Sequence, residues 1–484
     1  MSSTNLRTGE QYLTSIRNDG REVVYDGEIV RDVTAHPAFQ GAARSYARLW
    51  DIAADPLNRD LMTFPSPRTG NPVLRCYQIP KELDDLRLKR RMTLRWAEET
   101  FGLMGRTVDF GAELFTGFAA KSDVFANGGK AYADNLTAFH EYARDSHLHI
   151  AYAIVPPPID KSRPCHQQSD PTLYAGVVAE RDGGIILKGA QQLATGAVFA
   201  DYLFLSCITP LGPGDENHAI SVALPVNTPG LRLHARRSYA TNATSLFDYP
   251  LSSRFDETDA LVILENAFVP WERVFIYRDR ELCRQQWIRT PAHVYANRQA
   301  QIRYSTKLRF LLGVMKHHCE ITGTDSLPAS QAQLGEMAAL ASIVDMMIDA
   351  QETRATIENG VVWPSRVALF AIMAMQSDLN PRLMDLAREL SGGAMIMVPS
   401  SRLDYENPEI ARALVRYVAS PNYPSRRRVA LTKLAWDLIG SEFAGRHQQY
   451  EKFYAGPAIV NKLHIYRNYD FADAKLFAEA ALMK

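Results

Sequence analysis

Apolar and polar positions follow three successive patterns along the chain. From about Thr8 to Leu148 the apolar residues recur mostly at helical spacing, and the stretch Lys81–Phe118 predicts two helices joined near Gly105–Arg106. From about Ile150 to Tyr277 short apolar runs are bounded by Gly, Pro, Asp or Asn, which is typical of strands. From about Pro291 onward long helical patterns return.

The strand-like region does not alternate with long helices. A parallel doubly wound sheet is therefore not expected, and a small antiparallel barrel or sandwich fits the pattern better. The predicted strands are Gly184–Ala190, Tyr202–Ile208, Ala219–Leu224, Leu231–Ala235 and Ala260–Leu264.

The C-terminal region predicts a helical bundle. Ser330–Gln333 has the spacing of a capping box at a helix start. Behind it an apolar stripe repeats every three or four residues, through Leu334, Met337, Leu340, Val344 and Met347. Further helices are predicted at Pro364–Gly392, Pro408–Val418 and Ser425–Gly440. The chain therefore reads as α+β with three parts: 1–149 helical, 150–278 β-rich and 279–484 a helical bundle with a tail.

Composition narrows the function classes. The 484 residues contain 54 Lys+Arg and 54 Asp+Glu, so no overall basic field predicts nucleic-acid binding. No run of about 18 apolar residues predicts a membrane span. Five cysteines without a CxxC pair argue against a disulfide scaffold or a zinc ribbon and favour a reducing compartment. The polar N-terminus does not resemble a signal peptide, so we expect a cytoplasmic protein. We also expect no metal site, because the five cysteines form no CxxC pair.

The common catalytic signatures are missing from the sequence. There is no GxGxxG nucleotide fingerprint and no GxxxxGK[ST] phosphate loop. GxSxG and HExxH are also absent, which leaves no basis for a serine hydrolase or a zinc protease.

Five longer strings occur in order along the chain. They are Met104–Thr107, Ala153–Asp160, Asp248–Glu257, Val269–Glu272, and Gly440–Tyr450 with Tyr454–Gly456. Together they resemble the oxygenase component of two-component aromatic hydroxylases that use reduced flavin, the 4-hydroxyphenylacetate 3-monooxygenase family. The resemblance covers nearly the whole chain.

The resemblance implies a fold and a reaction. The fold is acyl-CoA dehydrogenase-like: an N-terminal helical domain, a central antiparallel β-barrel and a C-terminal four-helix bundle, assembled as a homotetramer. A separate NAD(P)H:flavin reductase supplies FADH2, and O2 is the co-substrate. A C4a-hydroperoxyflavin then hydroxylates a small phenolic or other electron-rich ring. This chemistry needs a dry pocket and a base near the substrate hydroxyl.

The resemblance also implies flavin contacts. They are Arg106, Tyr152, Pro158, Ile159, Asp160, Lys161, Thr195, Gly445, Arg446 and His447. Arg106 is in addition expected to stabilise an anionic flavin or phenolate. The alternative readings are a surface arginine, a rigid connector at Pro158–Lys161, a structural threonine and a solvated C-terminal helix.

Two departures from the family pattern concern the substrate. Phe110 and Tyr152 stand where the phenylacetate hydroxylases have a tyrosine and a histidine that bind the phenol hydroxyl. His293 resembles the histidine that acts as base in the chlorophenol and nitrophenol branch of the family. The predicted substrate-binding residues are therefore Phe110, Tyr152 and His293. The predicted catalytic residues are His293 and Arg106. A core or interface histidine is the alternative. The pattern favours a simple or substituted phenol over 4-hydroxyphenylacetate.

Three other functions remain open from the sequence. A 4-hydroxybutyryl-CoA dehydratase shares the region of His293 but needs cluster cysteines that are absent here: one position is Ala300, and Phe101–Phe110 contains no cysteine. An acyl-CoA dehydrogenase is suggested by architecture alone. A flavin-sequestering protein without catalysis is the third.

Overall fold

The computed structural model describes residues 6–243, 245–420 and 422–482. Its helices are α1 (Gly9–Ile16), α2 (Gln40–Ala54), α3 (Arg59–Met62), α4 (Leu83–Glu99), α5 (Val108–Ala120), α6 (Lys130–Asp145), α7 (Ser252–Phe255), α8 (Arg280–Arg289), α9 (Ala292–Thr322), α10 (Pro328–Thr353), α11 (Arg366–Ser391), α12 (Pro408–Tyr417), α13 (Ser425–Ile439), α14 (Glu442–Phe453), α15 (Ala458–Asn468) and α16 (Phe471–Glu479). Its strands are β1 (Glu22–Tyr25), β2 (Glu28–Val30), β3 (Thr63–Pro65), β4 (Pro72–Leu74), β5 (Ile150–Ala153), β6 (Gly176–Arg181), β7 (Gly184–Gln191), β8 (Tyr202–Ser206), β9 (Ile220–Pro225), β10 (Leu231–Ala235), β11 (Ala260–Pro270), β12 (Val274–Tyr277), β13 (Thr356–Glu358) and β14 (Val361–Trp363).

The central strands form two sheets. One has the order β2-β1-β10-β11-β7-β6 and the other the order β12-β9-β8-β5. All five predicted strands are confirmed. Most pairs are antiparallel, but β1 pairs with β10 and β5 with β8 in parallel. In the described part of the chain the strand pairing gives two open sheets, so the predicted closed antiparallel barrel is not confirmed and the sandwich alternative describes the pairing better.

A hairpin from the N-terminal region completes the larger sheet. β1 and β2 pair through Tyr25 and Glu28 around the turn Asp26-Gly27, whose φ angles are 50° and 83°. Asp-Gly is the preferred sequence for such two-residue turns, because both residues tolerate positive φ. The N-terminal part of the chain therefore contains strands in addition to the helices that its apolar pattern predicts.

The C-terminal helices form the predicted bundle. α9 lies at its centre and packs against α10, α11 and α13. α10 begins at Pro328 rather than at the predicted capping box, because proline has a fixed φ and no N–H, which suits the first helical position. Of the predicted stripe, Met337 and Val344 are buried and the other members are partly exposed.

The three-part division of the chain remains our proposal. In its support, β5 begins at Ile150 and α8 begins at Arg280, each next to a proposed boundary. One continuous core joins buried residues of all three parts. None of the helices in the described ranges is both long and apolar enough to cross a membrane.

Candidate active site

Arg106 lies in the turn between α4 and α5, and two glycines shape this turn. Gly102 has a φ of 69°, and a Cβ on it would lie 2.5 Å from the backbone oxygen of Arg303. At Gly105 a Cβ would lie 2.2 Å from the hydroxyl oxygen of Tyr450. The absence of a side chain at Gly105 therefore allows α14 to bring Tyr450 against Arg106.

The Arg106 guanidinium is enclosed by four aromatic rings, which we call the Arg106 cage. The guanidinium carbon lies 3.8 Å from the ring centroid of Phe110, 5.4 Å from Tyr152, 5.2 Å from Tyr450 and 5.8 Å from Tyr454. The guanidinium donates to the Tyr152 hydroxyl at 2.9 Å and to the Tyr450 hydroxyl at 2.5 Å. Phe110 and Tyr152 stack with centroids 5.2 Å apart. The two substituted family positions thus lie together on Arg106.

Arg106 is a buried cation without an acidic side-chain partner. It is 5% exposed, and among the described residues no carboxylate forms an ion pair with its guanidinium. Burial opposes its charge, but Tyr152, Tyr450 and the more distant carboxylate of Glu257 outweigh burial and raise the pKa of Arg106. A desolvated guanidinium whose partners in the described residues are hydroxyls, aromatic rings and one backbone carbonyl is suited to an anionic oxygen. The surface-arginine reading is therefore wrong.

Below the cage a carboxylate layer holds the backbone of this turn. Glu257 accepts from the backbone N–H groups of Gly105 at 2.8 Å and Arg106 at 2.9 Å. The Arg446 guanidinium binds Glu257 at 3.0 Å and both oxygens of Asp259 at 2.7 and 3.0 Å. Burial opposes the charge of Arg446, but Asp259 and Glu257 outweigh it and raise the pKa of Arg446. Arg446 is thus already paired within the chain.

Thr195 belongs to the same layer. Its hydroxyl donates to Asp259 at 2.5 Å, and Arg236 donates to the other oxygen of Asp259 at 2.9 Å. Burial would raise the pKa of Asp259, but Arg446 and Arg236 lower it far below its usual range. Asp259 is therefore an anion whose position fixes the hydroxyl of Thr195.

His447 lies on the opposite side of α14 from solvent. It is buried, its Nδ1 lies 3.4 Å from the Lys307 ammonium, and its Nε2 has no hydrogen-bond partner among the described residues. Burial, Lys307 and Arg446 together lower the pKa of His447 well below its usual value, so the ring is neutral. Glu451 accepts from Lys307 at 2.9 Å and pairs with Arg303. His447 therefore adds no positive charge beside Arg446. Because His447 and Glu451 are buried, the alternative interpretation of this segment as a solvated helix is wrong.

The remaining predicted flavin contacts lie on more exposed surfaces. Pro158–Lys161 belongs to the loop after β5, where the Asp160 carboxylate accepts from the Ser162 backbone at 2.9 Å. Gly445 is exposed on α14, and a Cβ there would meet nothing within 4 Å. In the described residues no hydrogen bond joins this loop or Gly445 to the Arg106 cage.

His293 lies at the start of α9 and is separate from the Arg106 cage. Its ring lies 6.0 Å from Phe370 and 5.4 Å from His464, measured between centroids. Burial, followed by the neighbouring His464, lowers the pKa of His293 to about 3. The described residues provide no hydrogen bond or ring contact between His293 and Arg106, so the two predicted catalytic groups do not touch within the chain.

Several residues of this site were not predicted. Tyr450 and Tyr454 complete the cage, and Glu257 and Asp259 form the carboxylate layer. Three of them lie inside the strings that carry the family resemblance, which is the signal that could have marked them. His464 stands in no such string, and its approach to His293 follows only from the packing of α15 on α11.

Two family models match almost the entire chain. "4-hydroxyphenylacetate 3-hydroxylase N terminal" matches residues 8–276, and "4-hydroxyphenylacetate 3-hydroxylase C terminal" matches residues 283–483. The fold and the matched models define an aromatic hydroxylase. The chain belongs to the 4-hydroxyphenylacetate 3-hydroxylase family.

Individual relatives agree with this assignment. The "4-hydroxyphenylacetate 3-monooxygenase oxygenase component" of Pseudomonas aeruginosa is 35% identical over 463 residues, 94% of this chain and 88% of that protein. The "4-nitrophenol 2-monooxygenase, oxygenase component" of Rhodococcus sp is 33% identical and covers 93% of this chain and 86% of its own length.

Solved structures show the same fold. The oxygenase component of 4-hydroxyphenylacetate 3-monooxygenase complexed with FAD and 4-hydroxyphenylacetate has a TM-score of 0.93 at 31% identity and covers 99% of this chain and 98% of that chain. A 4-hydroxybutyryl-CoA dehydratase from N. maritimus has a TM-score of 0.90 at 21% identity, which shows the fold alone. The predicted α+β fold class is confirmed, with N-terminal helices, central sheets and a C-terminal helical bundle in the predicted order.

Proposed function

We propose that this chain is the oxygenase component of a two-component monooxygenase that hydroxylates a small phenol with FADH2 and O2. The observation that carries the proposal is the Arg106 cage: a buried guanidinium between an apolar ring and two hydroxyls, which no carboxylate of the described residues pairs with. Such a group can stabilise an anionic phenol oxygen or an anionic flavin ring.

The residues of the chain fit a flavin in this region. Arg106 and Tyr152 offer a charge and a polar edge to the ring system, and the exposed loop Pro158–Lys161 can lie against it. Gly445 leaves open space beside α14. Thr195 and Arg446 would act through Asp259, which they hold in place, and neutral His447 would lie behind them. Reduced flavin with O2 supplies, when bound, the electrophilic oxygen atom.

The protein's own part in the reaction is to prepare the phenol. Attack is faster on a phenolate, so a proton must leave the substrate hydroxyl. Burial lowers the pKa of His293, so its imidazole is neutral at neutral pH and is free to accept a proton, but the same shift weakens it as a base. The transfer therefore depends on stabilisation of the phenolate that it produces. Arg106 then stabilises the negative oxygen, and the ring of Phe110 excludes water from it.

The charges around the Arg106 cage bear on the substrate class. In the described part of the chain the neighbouring cations Arg446, Arg236 and Arg303 each face carboxylates. A substrate carboxylate would therefore find no partner of its own among these groups. We infer an uncharged phenol, substituted or simple, as in the nitrophenol-directed relative, and place 4-hydroxyphenylacetate second.

The assembly and the partner extend the proposal. The relatives are called oxygenase components, which supports a separate NAD(P)H:flavin reductase that delivers FADH2. Exposed apolar residues on α10 and α16, among them Met346 and Phe477, support a homotetramer. Five unpaired cysteines support a reducing, cytoplasmic location.

The dehydratase alternative is not favoured. Thiolates are the usual ligands of an iron–sulfur cluster, and Phe370 and His464 are the rings beside His293. The described residues contain no group of three or more His, Cys, Asp or Glu side chains arranged to hold a metal ion.

The test is a reconstitution with an unrelated flavin reductase, NADH and FAD. A panel of phenol, 4-nitrophenol, 2,4-dichlorophenol and 4-hydroxyphenylacetate is offered, and products are identified by mass. We expect a gain of one oxygen atom on an uncharged phenol and no NADH oxidation by the chain alone. H2O2 as the only product with every phenol would overturn the proposal, and NADH consumption without the reductase would overturn the partner.

A further inference from the structure

Three rings stack at the start of the C-terminal bundle. His293 of α9, Phe370 of α11 and His464 of α15 come from three helices that are far apart in sequence. Phe370 and His464 are nearly parallel, with centroids 5.0 Å apart and an angle of 14°. Their ring centroids lie 6.0 and 5.4 Å from the centroid of the His293 ring.

This stack lies in a cluster of its own, apart from the main core. The cluster contains Val294, Phe370, Trp363 and Met373, with Ile465 packed on its edge. α15 therefore contributes to this cluster through neighbouring residues. His464 points into it and is partly buried there.

His293 has none of the usual means of holding an imidazole. A catalytic or metal-binding histidine normally donates one ring N–H to a carboxylate or carbonyl, which fixes its orientation. Among the described residues, the ring nitrogens of His293 form no hydrogen bond; only its backbone oxygen does, accepting from Asn297 at 2.8 Å. Among the described residues, the ring contacts of His293 are those with Phe370 and His464.

We infer that His464 is a positioning residue, which with Phe370 fixes the imidazole of His293 by stacking in place of the usual carboxylate. The inference rests on the proposed role of His293 as proton acceptor. The His293 ring is inclined by 28° to Phe370 and by 34° to His464, and aromatic rings at these separations attract one another. The two rings therefore restrict rotation of the His293 ring. A misplaced acceptor slows a positioned proton transfer.

The surroundings also define the electrostatics of the pair. Besides burial, His464 is the ionisable group among the described residues that acts on the pKa of His293, and Arg467 acts on that of His464. A proton on either imidazole disfavours a proton on the other. Replacement of His464 by an uncharged ring therefore raises the pKa of His293. Because His293 must be neutral to act as a base, the acid limb of the hydroxylation rate then moves to higher pH.

The test compares four variants of the full-length protein with the best phenol of the panel. His464→Ala removes the ring, His464→Phe keeps a ring without charge, His293→Ala removes the acceptor, and Lys462→Ala is an exposed control on the same helix. The measured quantities are the single-turnover rate of product formation, product formed per O2 consumed, and the pH dependence of the rate.

We expect His464→Ala to lower the rate roughly tenfold and to divert O2 to H2O2, because a small displacement of the acceptor is enough. His464→Phe should restore most of the rate and shift the acid limb upward, and Lys462→Ala should change nothing. If His464→Ala does not fold, His464→Leu, which fills the space without a flat ring, takes its place in the same rate and coupling measurements.

Two results separate the inference from the function on which it rests. A wild-type rate, coupling and pH profile in both His464 variants, together with an impaired His293→Ala, would refute the positioning role and leave the base in place. A fully active His293→Ala would refute the base and the positioning role together, while hydroxylation itself would stand.

Discussion

Arg106 belongs to the turn that Glu257 holds, and Arg446 binds the same Glu257, yet the partners of the two guanidinium groups differ. Arg446 faces two carboxylates, Glu257 and Asp259, at 2.7–3.0 Å. Arg106 faces a phenylalanine ring and two tyrosine hydroxyls. Glu257 connects the two arginines, because it accepts from the backbone N–H of Arg106 with one oxygen and from Arg446 with the other.

The difference in partners suggests different parts for the two arginines: Arg446 supports the turn, and Arg106 is available for chemistry. A buried cation is costly unless it is paired, so Arg446 with its carboxylates is a rigid support that aligns the turn. Arg106 keeps its charge in the same dry environment without such a partner. The charge that remains unpaired is the one available to a substrate or cofactor anion. The following predictions test this division.

His293→Ala is expected to have the largest effect. In this variant Arg106 must activate the phenol without a proton acceptor. Removal of the acceptor should slow hydroxylation roughly 10²–10⁴-fold, the usual contribution of a general base, and increase H2O2. Product and peroxide are measured in single turnovers. His317→Ala, an exposed histidine of the same helix, is the control. Equal rates in the two variants would leave the chemistry to Arg106.

Arg446→Met should come next and act on stability. It leaves Asp259 and Glu257 without their shared cation, at a cost of about 3–5 kcal/mol in the free energy of unfolding. Denaturant unfolding at fixed protein concentration measures it. The pKa of Asp259 is lowered in the folded wild type, so its contribution is present above the unfolded pKa and is lost as the pH falls. The deficit of the variant should therefore shrink below about pH 4.

Arg106→Met should have the opposite profile. Hydroxylation falls roughly 10²–10³-fold, the usual loss of a group that stabilises developing charge. The free energy of unfolding should stay within about 1 kcal/mol of wild type, because no carboxylate loses its partner. Arg106→Lys should recover only part of the rate, since an ammonium lacks the fork that reaches both tyrosine hydroxyls. A destabilisation equal to that of Arg446→Met would remove the distinction between the two arginines.

Thr195→Val should have the smallest effect. Asp259 loses one hydrogen bond but keeps Arg446 and Arg236, so unfolding is expected to become easier by about 1.5 kcal/mol. Saturation of the hydroxylation rate with FADH2 reports on the flavin. A large rise in the FADH2 concentration needed, without loss of stability, would show direct contact of Thr195 with the flavin instead of action through Asp259.

The sequence patterns predict the elements better than their connections. The joint at Gly105–Arg106 and the five central strands follow from local composition. The β1–β2 hairpin also had a local signal, Asp26-Gly27, although its apolar run is short. The parallel pairing of β1 with β10 has no such signal, since it joins residues about two hundred positions apart.

The site shows the same limit. The family resemblance marks Arg106 and Arg446, but it does not say that one is paired and the other is not. That depends on which side chains of Tyr450, Glu257 and Asp259 face inward, and those contacts arise from tertiary packing. The neutral state of His447 likewise follows from burial beside Lys307, which residue spacing does not reveal.

The hydrogen bond between Arg106 and Tyr450 joins residues 344 positions apart, with a consequence for synthesis of the chain. A ribosome adds about 5–20 residues per second, so Tyr450 follows Arg106 after roughly 20–70 s. During that interval the turn of Arg106 lacks α14 and with it Arg446. A nascent or C-terminally truncated chain therefore has no closed cage, and reduced flavin bound to it would meet O2 in contact with water.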